Sequence, residues 1–276
     1  MTTAIGVTLP DGSASGAAET LASLPLSFRR SDGVTDSVVV VQGLPGWVEV
    51  AAAAARGGAA GIIVVGPTPA DLAGLVALDQ LAVAFVTDWQ WSSNPAIPAA
   101  AAAFRTAALG AAALNTSGTG PNRLETRLVL PVGSDLNVAL LEQLALVRRL
   151  VGPVDELHIL DQTSRNCYAA GTTGGLEVDL SLVCTAATTS VSLTRLLTVD
   201  GSVELEVGSP TTARPARVTV TGPDGMTQLP TLYESAHRAS WRRLRDQLSG
   251  IGAGSDLSDL RADTATLNRS SGRTTS

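Results

Sequence analysis

The clearest pattern lies between residues 36 and 67, where two apolar runs enclose an alanine-rich stretch. Residues 37–41 are a serine followed by four valines, and residues 62–65 are Ile-Ile-Val-Val, compositions typical of strands that are buried on both faces. Between them, residues 47–56 are rich in alanine and are followed by Gly57-Gly58, as expected for a helix and its stop signal. This order of strand, helix and strand predicts a parallel sheet with a right-handed crossover.

The same alternation of strand and helix extends over the first 120 residues. Three further short apolar runs predict strands at residues 4–8, 26–30 and 83–87, with helices at 17–23, 69–81 and 97–109. Strands separated by helices in this way predict a Rossmann-like parallel sheet. The segment Asn-Thr-Ser-Gly-Thr-Gly-Pro at residues 115–121 is typical of a linker, so the first domain is predicted to span residues 1–120.

The periodicity changes after the linker. Apolar and polar residues alternate over 124–130, and residues 135–151 carry a helical stripe of Leu136, Leu140, Leu144, Val147 and Val151. Short alternating runs then follow between residues 154 and 221, separated by glycine turns. Residues 121–276 are therefore predicted to form an α+β domain with a large, mostly antiparallel sheet and flanking helices. Helices are expected at 235–248 and 256–267, and the C-terminal one is expected to pack back on the first domain.

Composition narrows the classes of function. The net charge is −6 and the isoelectric point is near 4.9, which argues against a nucleic-acid or anionic-membrane partner. All 19 basic residues are arginine, so chemistry that needs a lysine is excluded. No apolar run approaches the ~18 residues of a membrane span, and the first residues do not resemble a signal peptide, so a cytoplasmic location is expected. Cys167 and Cys184 are expected to be small buried hydrophobes, and no metal site is expected.

Several segments together resemble the Gfo/Idh/MocA family of NAD(P)-dependent sugar and cyclitol oxidoreductases. Residues 37–67 resemble the family's strand, turn and alanine-rich helix that precede a Glu-Lys-Pro motif. Residues 140–152 resemble its long helix, 201–206 a turn in its sheet, and 259–273 its closing helix and Gly-Arg end. The resemblance covers most of the chain. It implies an NAD or NADP cofactor and assembly into homo- or hetero-oligomers through the antiparallel sheet.

The chain departs from the family at positions that carry chemistry there. The first strand-to-helix turn, residues 8–16, lacks the spacing of the glycine-rich phosphate loop G-x-G-x-x-G. The family's Glu-Lys-Pro is replaced by Val65-Gly66-Pro67, and its Asp/His pair on the long helix falls at Glu142 and Ala145. These departures favour a degenerate family member that has lost the standard dehydrogenase chemistry, binds no cofactor and acts as a binding or partner subunit.

Two other functions stay open. One is a working NAD(P)-dependent oxidoreductase for a sugar or cyclitol with a non-standard cofactor loop, and the other is a sensor for a small-molecule ligand. Either would use a crevice at the carboxyl ends of the parallel strands. The candidate cofactor-binding residues are Gly12, Gln42, Gly43, Gly66 and Trp89. The candidate catalytic residues are His237, His158 and Tyr168, although His158 also fits an ordinary sheet position and His237 a surface or capping position.

Overall fold

The computed structural model of the chain describes residues 4–9, 16–24, 26–114, 122–209, 212, 214–252 and 254–271. The chain divides into two compact units. The first unit consists of residues 1–93 and 235–264, and the second consists of residues 94–234 and 265–276. The predicted boundary near residue 120 therefore differs from this division, which joins a late segment of the chain to the first unit.

The first unit contains a sheet of five strands, all paired in parallel, in the order β2-β1-β3-β4-β5. This confirms the predicted Rossmann-like sheet. Strand β1 lies between β2 and β3, so the strand order continues to one side of β1 with β2 and to the other side with β3. Such a switch in strand order creates a crevice beyond the carboxyl ends of β1 and β3. The strands are β1 (Ile5–Thr8), β2 (Phe28–Arg30), β3 (Ser37–Gln42), β4 (Gly61–Val65) and β5 (Ala84–Asp88).

Seven helices lie within the described residues. They are α1 (Ala17–Ala22), α2 (Trp47–Arg56), α3 (Leu72–Asp79), α4 (Ile97–Leu114), α5 (Leu136–Leu150), α6 (Ala236–Leu248) and α7 (Asp256–Ser271). The strand and helix ranges predicted from periodicity match these elements, with shifts of a few residues at their ends. Helix α3 begins at Leu72 because Asp71 caps it, with its carboxylate accepting from the backbone N–H of Gly74. The largest shift is in α4, which ends at Leu114 and not at the predicted residue 109.

Helix α6 completes the core on one face of the parallel sheet. Its Trp241 is fully buried and meets Phe28 of β2 edge to face, with ring centroids 5.1 Å apart. Leu244 of the same helix packs in this cluster together with residues of α1, among them Leu21. The first unit therefore depends on a helix that lies far along the chain from its strands.

The second unit contains an eight-stranded sheet in the order β13-β12-β11-β10-β6-β9-β8-β7. Only β6 and β9 pair in parallel, which confirms the mostly antiparallel prediction. Strand β13 was not predicted, because its four residues are all exposed and show no apolar alternation. The strands are β6 (Arg123–Leu130), β7 (Glu156–Gln162), β8 (Asn166–Thr173), β9 (Leu176–Cys184), β10 (Val191–Thr198), β11 (Gly201–Gly208), β12 (Arg217–Gly222) and β13 (Gly225–Gln228).

Helix α5 is the central helix of the second unit. Asp135 caps it, accepting from the backbone N–H groups of Asn137 at 2.8 Å and Val138 at 3.3 Å. Its buried surface is wider than the predicted stripe and includes Glu142 and Gln143, since both helix α4 and the sheet contact it. Helix α4 belongs to this unit, whereas the sequence analysis placed residues 97–109 in the first domain.

Candidate functional site

The carboxyl ends of the parallel strands define the candidate site. Strands β3, β4 and β5 end there at Gln42, Val65 and Asp88. In sheets of this kind, ligands bind in the crevice beyond the carboxyl ends of the strands. The polar residues that follow these strands are therefore the first place to look for functional groups.

Gly43 and Gly66, two predicted cofactor-binding residues, lie against each other at this edge. The N–H of Gly43 donates to the carbonyl of Val65 at 2.9 Å, and the N–H of Thr68 donates to the carbonyl of Gly43 at 2.7 Å. A Cβ at Gly43 would collide with the backbone of Gly66 and Pro67, so this glycine allows the loops after β3 and β4 to touch. Gly66 has a φ of +55°, and no atom lies within 4 Å of the Cβ position there. Of the two glycines, Gly66 is therefore the one with free space beside its Cα atom.

Asp88 and His237 form the most distinctive pair at this edge. Asp88 is the last residue of β5, and its side chain is only 2% exposed. His237 lies in the first turn of α6, which Ser235 caps by accepting from the N–H of Arg238 at 3.2 Å. The imidazole Nδ1 lies 2.8 Å from Oδ2 of Asp88. Because a carboxylate accepts hydrogen bonds, it keeps a proton on Nδ1 and fixes the orientation of the ring.

The other edge of the His237 ring faces the start of α1. A Cβ built on Gly16 would lie 3.6 Å from Cδ2 and 3.7 Å from Nε2 of His237. Gly16 is the N-cap residue of α1 and has a φ of +84°, a conformation that favours glycine. The pair of Asp88 and His237 therefore connects the end of β5 to the residue that opens the first helix.

A buried ionic cluster fixes the backbone directly before Asp88. The Asp256 carboxylate accepts from the N–H of Thr87 at 2.8 Å and from its hydroxyl at 2.9 Å. Nη1 of Arg243 donates to both oxygens of the same carboxylate, and Nη2 donates to the carbonyl of Thr87 at 3.0 Å. Ser93 accepts from Arg243 and donates back to the Thr87 carbonyl. Two residues of the late helices thus hold the end of β5.

Four buried polar atoms, at the end of β5 and in the loops after β4 and β5, have no hydrogen-bond partner within the described part of the chain. Burying such a group costs free energy unless a partner satisfies it, so each one indicates strain, an ordered water or a ligand. Their position at the carboxyl edge of the sheet fits a polar ligand that binds there. The atoms are Thr68 Oγ1, Asp88 Oδ1, Gln90 Nε2 and Ser92 Oγ.

The structure separates the other predicted site residues. Gln42 is half-buried at the end of β3, and the Trp89 side chain is enclosed, with 2% exposure. His158 is exposed on β7, and Tyr168 is 40% exposed on β8. Both belong to the second unit, whereas His237 belongs to the first. Gly12 lies outside the described residues.

Tyr168 takes part in a surface network. Its hydroxyl donates to Asp179 at 2.9 Å, and Arg123 pairs with Glu177 at 3.0 Å and with Asp179 at 3.2 Å. The hydrogen bond to Asp179, and to a lesser extent burial, raises the pKa of Tyr168. The hydrogen bond to Glu177 is the main cause that raises the pKa of Arg123. Both groups therefore keep their ordinary protonation states at neutral pH.

The two cysteines are free and buried, which confirms their interpretation as small hydrophobes. Burial, followed by the charge of Asp161, raises the pKa of the Cys167 thiol and keeps it protonated. Within the described residues, no group of three His, Cys, Asp or Glu side chains is arranged to hold a metal ion. The described helices also include none with the length and apolar character needed to cross a bilayer.

The sequence matches no family model and no curated protein. Solved structures match along the whole chain. KijD10, a 3-ketoreductase from Actinomadura kijaniata in complex with NADP, is 16% identical, with a TM-score of 0.69 over 98% of this chain and 97% of that one. YPO2259 from Yersinia pestis, whose oxidoreductase activity is an assignment, is 15% identical, with a TM-score of 0.65 over 99% and 95%. The protein yhhX, also assigned as an oxidoreductase, is 11% identical, with a TM-score of 0.65 over 98% and 97%.

These comparisons show the fold of the chain. It is a Rossmann-like parallel sheet joined to a large, mostly antiparallel sheet, as in the NADP-binding ketoreductase KijD10. The fold implied by the Gfo/Idh/MocA resemblance is thereby confirmed, while membership of that family stays a prediction.

Proposed function

We propose that the chain is an oxidoreductase that uses NADP(H) and acts on a sugar or cyclitol. The observation that carries this proposal is the cluster of buried polar groups at the carboxyl edge of the parallel sheet. The matched fold supports it, because KijD10 was crystallised with NADP and matches along almost the entire chain. The substrate class rests on the family resemblance.

The expectation that no cofactor binds is not supported, because the matched KijD10 structures contain NADP. The residues of the carboxyl edge fit a dinucleotide in that they offer buried polar atoms without partners and an open glycine at residue 66. Gly16, Thr68, Asp88 and His237 would hold it. The cofactor would supply or accept the hydride, and these four residues would bind and orient the cofactor.

A titration with NADPH and with NADH tests the proposal, with cofactor fluorescence and melting temperature as the two readouts. A ligand at 100 times its dissociation constant adds about 2.7 kcal/mol to the free energy of unfolding, so the melting temperature should rise clearly. We expect a micromolar response to NADPH, followed by turnover with members of a sugar and cyclitol panel. No response at millimolar concentration of either cofactor would contradict the proposal.

A second candidate is the non-catalytic binding subunit predicted from the sequence. It is favoured by the absence of any lysine and by the packing of Gly66-Pro67 against Gly43 where the family carries its lysine motif. This candidate was predicted to bind no cofactor, so it expects no response to NADPH or NADH, and a micromolar response to either would count against it. Turnover at a rate comparable to ordinary enzymes would exclude it.

We also propose that the eight-stranded sheet mediates oligomerisation, as the family resemblance implies. Its outer face carries apolar residues at mutually paired positions, including Val129, Val183 and Val191, which are half-buried in the single chain. Light scattering after size exclusion tests this proposal. We expect a mass of at least twice the 28.1 kDa of one chain. A monomer at high protein concentration would contradict it.

A further inference from the structure

Helices α2 and α3 of the first unit present an exposed, mostly apolar surface. We propose that a second copy of the chain binds this surface, with α2 packed antiparallel against α2 of the partner copy about a two-fold axis near Ala53. The inference is independent of the cofactor site and of the assembly proposed for the eight-stranded sheet. We call the surface the α2–α3 face, and its members are Val50, Ala53, Ala73, Val76 and Ala77.

The two helices lie side by side, so their outward residues form one surface. Helices α2 and α3 contact each other, and a Cβ built on Gly74 of α3 would lie 3.2 Å from Cγ1 of Val48 of α2. The glycine therefore allows the helices to approach closely. Helix α2 packs inward through Trp47, Val48, Ala51 and Ala54, which leaves residues 49, 50, 53 and 56 exposed on its other side.

The α2–α3 face has few charges for an exposed helical surface. An exposed helix normally carries charged or polar residues on its outer side. Helix α3 has no charged residue before Asp79 at its C-terminal end, and Asp79 pairs with Arg261 at 3.2 Å. Val50 is 56% exposed and Val76 is 39% exposed. Grouped apolar side chains of this kind indicate a surface for binding another protein.

Two charges at the ends of α2 specify which protein fits. Glu49 lies in the first turn and Arg56 in the last, both are exposed, and neither forms an ion pair or a side-chain hydrogen bond within the described residues. Because seven residues make two turns, the two side chains lie on one side of the helix, about 10 Å apart along its axis. A second α2 that runs antiparallel places Arg56 opposite Glu49 and Glu49 opposite Arg56. The charges are therefore self-complementary, as a two-fold contact requires.

The middle of the proposed contact is small. Ala53 is exposed between the two charges, and Ala52 beside it is half-buried. Small side chains let two packed helices approach to the short end of the usual axis separation of about 8–10 Å. At that separation Val50 of each copy is covered by the other copy. Another α2 thus satisfies both charges and covers the apolar residue between them.

Charge reversal distinguishes this contact from a role within one helix. An acidic residue in the first turn and a basic residue in the last turn also stabilise a helix through its dipole. Glu49→Arg and Arg56→Glu are made singly and together in the full chain, and sedimentation measures the dissociation constant. Each single reversal places like charges opposite each other at both ends of the contact, so the dissociation constant should rise about 10- to 100-fold. The double reversal restores opposite charges and should recover the wild-type dissociation constant, although both of its charges oppose the dipole.

Glu19→Arg is the matched control. It reverses an exposed acidic residue in the first turn of α1, which is outside the α2–α3 face, and it should leave the dissociation constant unchanged. Cross-linking gives a second readout that does not depend on charge. The native cysteines are free and buried, so mild oxidation of Ala53→Cys should link two copies through residue 53, with a mass of twice 28.1 kDa. Ala18→Cys, at an exposed position of α1, should stay unlinked.

The outcomes decide the inference in every case. The wild type should sediment as two copies, or as four copies where the eight-stranded sheet also assembles, and each single reversal should reduce that mass toward half. A wild type that stays a single chain at high concentration overturns the inference. An assembly that neither single reversal weakens also overturns it, because the copies then meet through another surface. The same holds for single-reversal losses that the double reversal does not recover, and for Ala53→Cys copies that assemble without cross-linking.

Discussion

The two sheets of this protein place their polar groups in opposite ways. At the carboxyl edge of the parallel sheet, the charged groups are buried, since the side chains of Asp88 and Asp256 are 2% and 6% exposed. On the eight-stranded sheet, the charged groups lie on the outer face, where Arg123 and Glu177 are 46% and 56% exposed. The same residue types therefore occupy two different environments.

This difference indicates where function is to be sought. A surface ion pair is solvated in the folded and the unfolded state, so it adds little to stability and needs no ligand. A buried ionic cluster must be satisfied in full, and the unpartnered oxygen of Asp88 is an exception that a bound molecule would remove. The parallel sheet thus carries the candidate site, and the outer face of the eight-stranded sheet is a candidate for assembly.

The largest effect is expected from Arg243→Ala. The substitution removes the guanidinium that pairs with the buried Asp256 carboxylate. Removal of one partner from a buried pair typically costs about 3–5 kcal/mol, and the 29% exposure of Arg243 puts the expected loss at the lower end, about 3 kcal/mol. Urea denaturation would measure the loss. Arg245→Ala on the same helix is the control, since its partner Asp246 is 39% exposed and a loss below about 1 kcal/mol is expected. Equal losses for the two variants would show that the buried cluster contributes no more to the free energy of unfolding than the exposed pair does.

A smaller loss, about 1–3 kcal/mol, is expected for Gly43→Ala. The new methyl group would collide with the backbone of Gly66 and Pro67, which has no freedom to move as a side chain has. Gly33→Ala is the matched control, because no atom lies within 4 Å of its Cβ position, and it should change stability by less than about 0.5 kcal/mol. If Gly43→Ala were as stable as this control, the contact between the two loops would not be tight.

Arg123→Ala on the outer face should reduce the free energy of unfolding only slightly, because its ion pairs with Glu177 and Asp179 are exposed and screened. The loss should decrease further in high salt. A loss as large as that expected for Arg243→Ala, and unchanged by salt, would mean that this face is far less solvated than the structure shows.

The smallest effect is expected for Tyr168→Phe, and it should depend on pH. The pKa of Tyr168 is raised in the folded state above its ordinary value of 10.0, so its hydroxyl contributes stability that is complete below pH 10. That contribution is lost as the pH rises through the folded pKa. The difference in stability between the wild type and the variant should be constant from about pH 7 to pH 9, amount to a few tenths of a kcal/mol, and disappear at higher pH. A difference that grows above pH 10 would have the wrong sign.

Much of the fold could be predicted from local patterns. The valine run of β3, the alternation of β9 and the capped helix α5 each show a clear local pattern. The structure forms these three elements at the predicted positions. Strand β13 could not be predicted, since exposed residues that pair only along one edge leave no hydrophobic pattern.

The site was much harder to predict. His237 was singled out as a histidine at the start of a helix, but its partner Asp88 lies 149 positions earlier and its role depends on that partner. The contact of Asp256 with Thr87 spans 169 positions, so no local spacing could reveal it. The one available signal was Asp88, a polar residue at the end of a buried strand. Lost family motifs favoured a subunit without a cofactor, whereas the matched structure of KijD10 contains NADP.

Hydrogen exchange with and without NADPH tests most directly the claim that the carboxyl edge of the parallel sheet is the cofactor site. Saturating NADPH should slow exchange of the amides in residues 66–68, 88–93 and 235–240, and should leave the strands of the eight-stranded sheet unchanged. The side chains that would contact the cofactor lie in these three segments. Protection absent from these segments, in a sample shown to bind NADPH, would contradict the account.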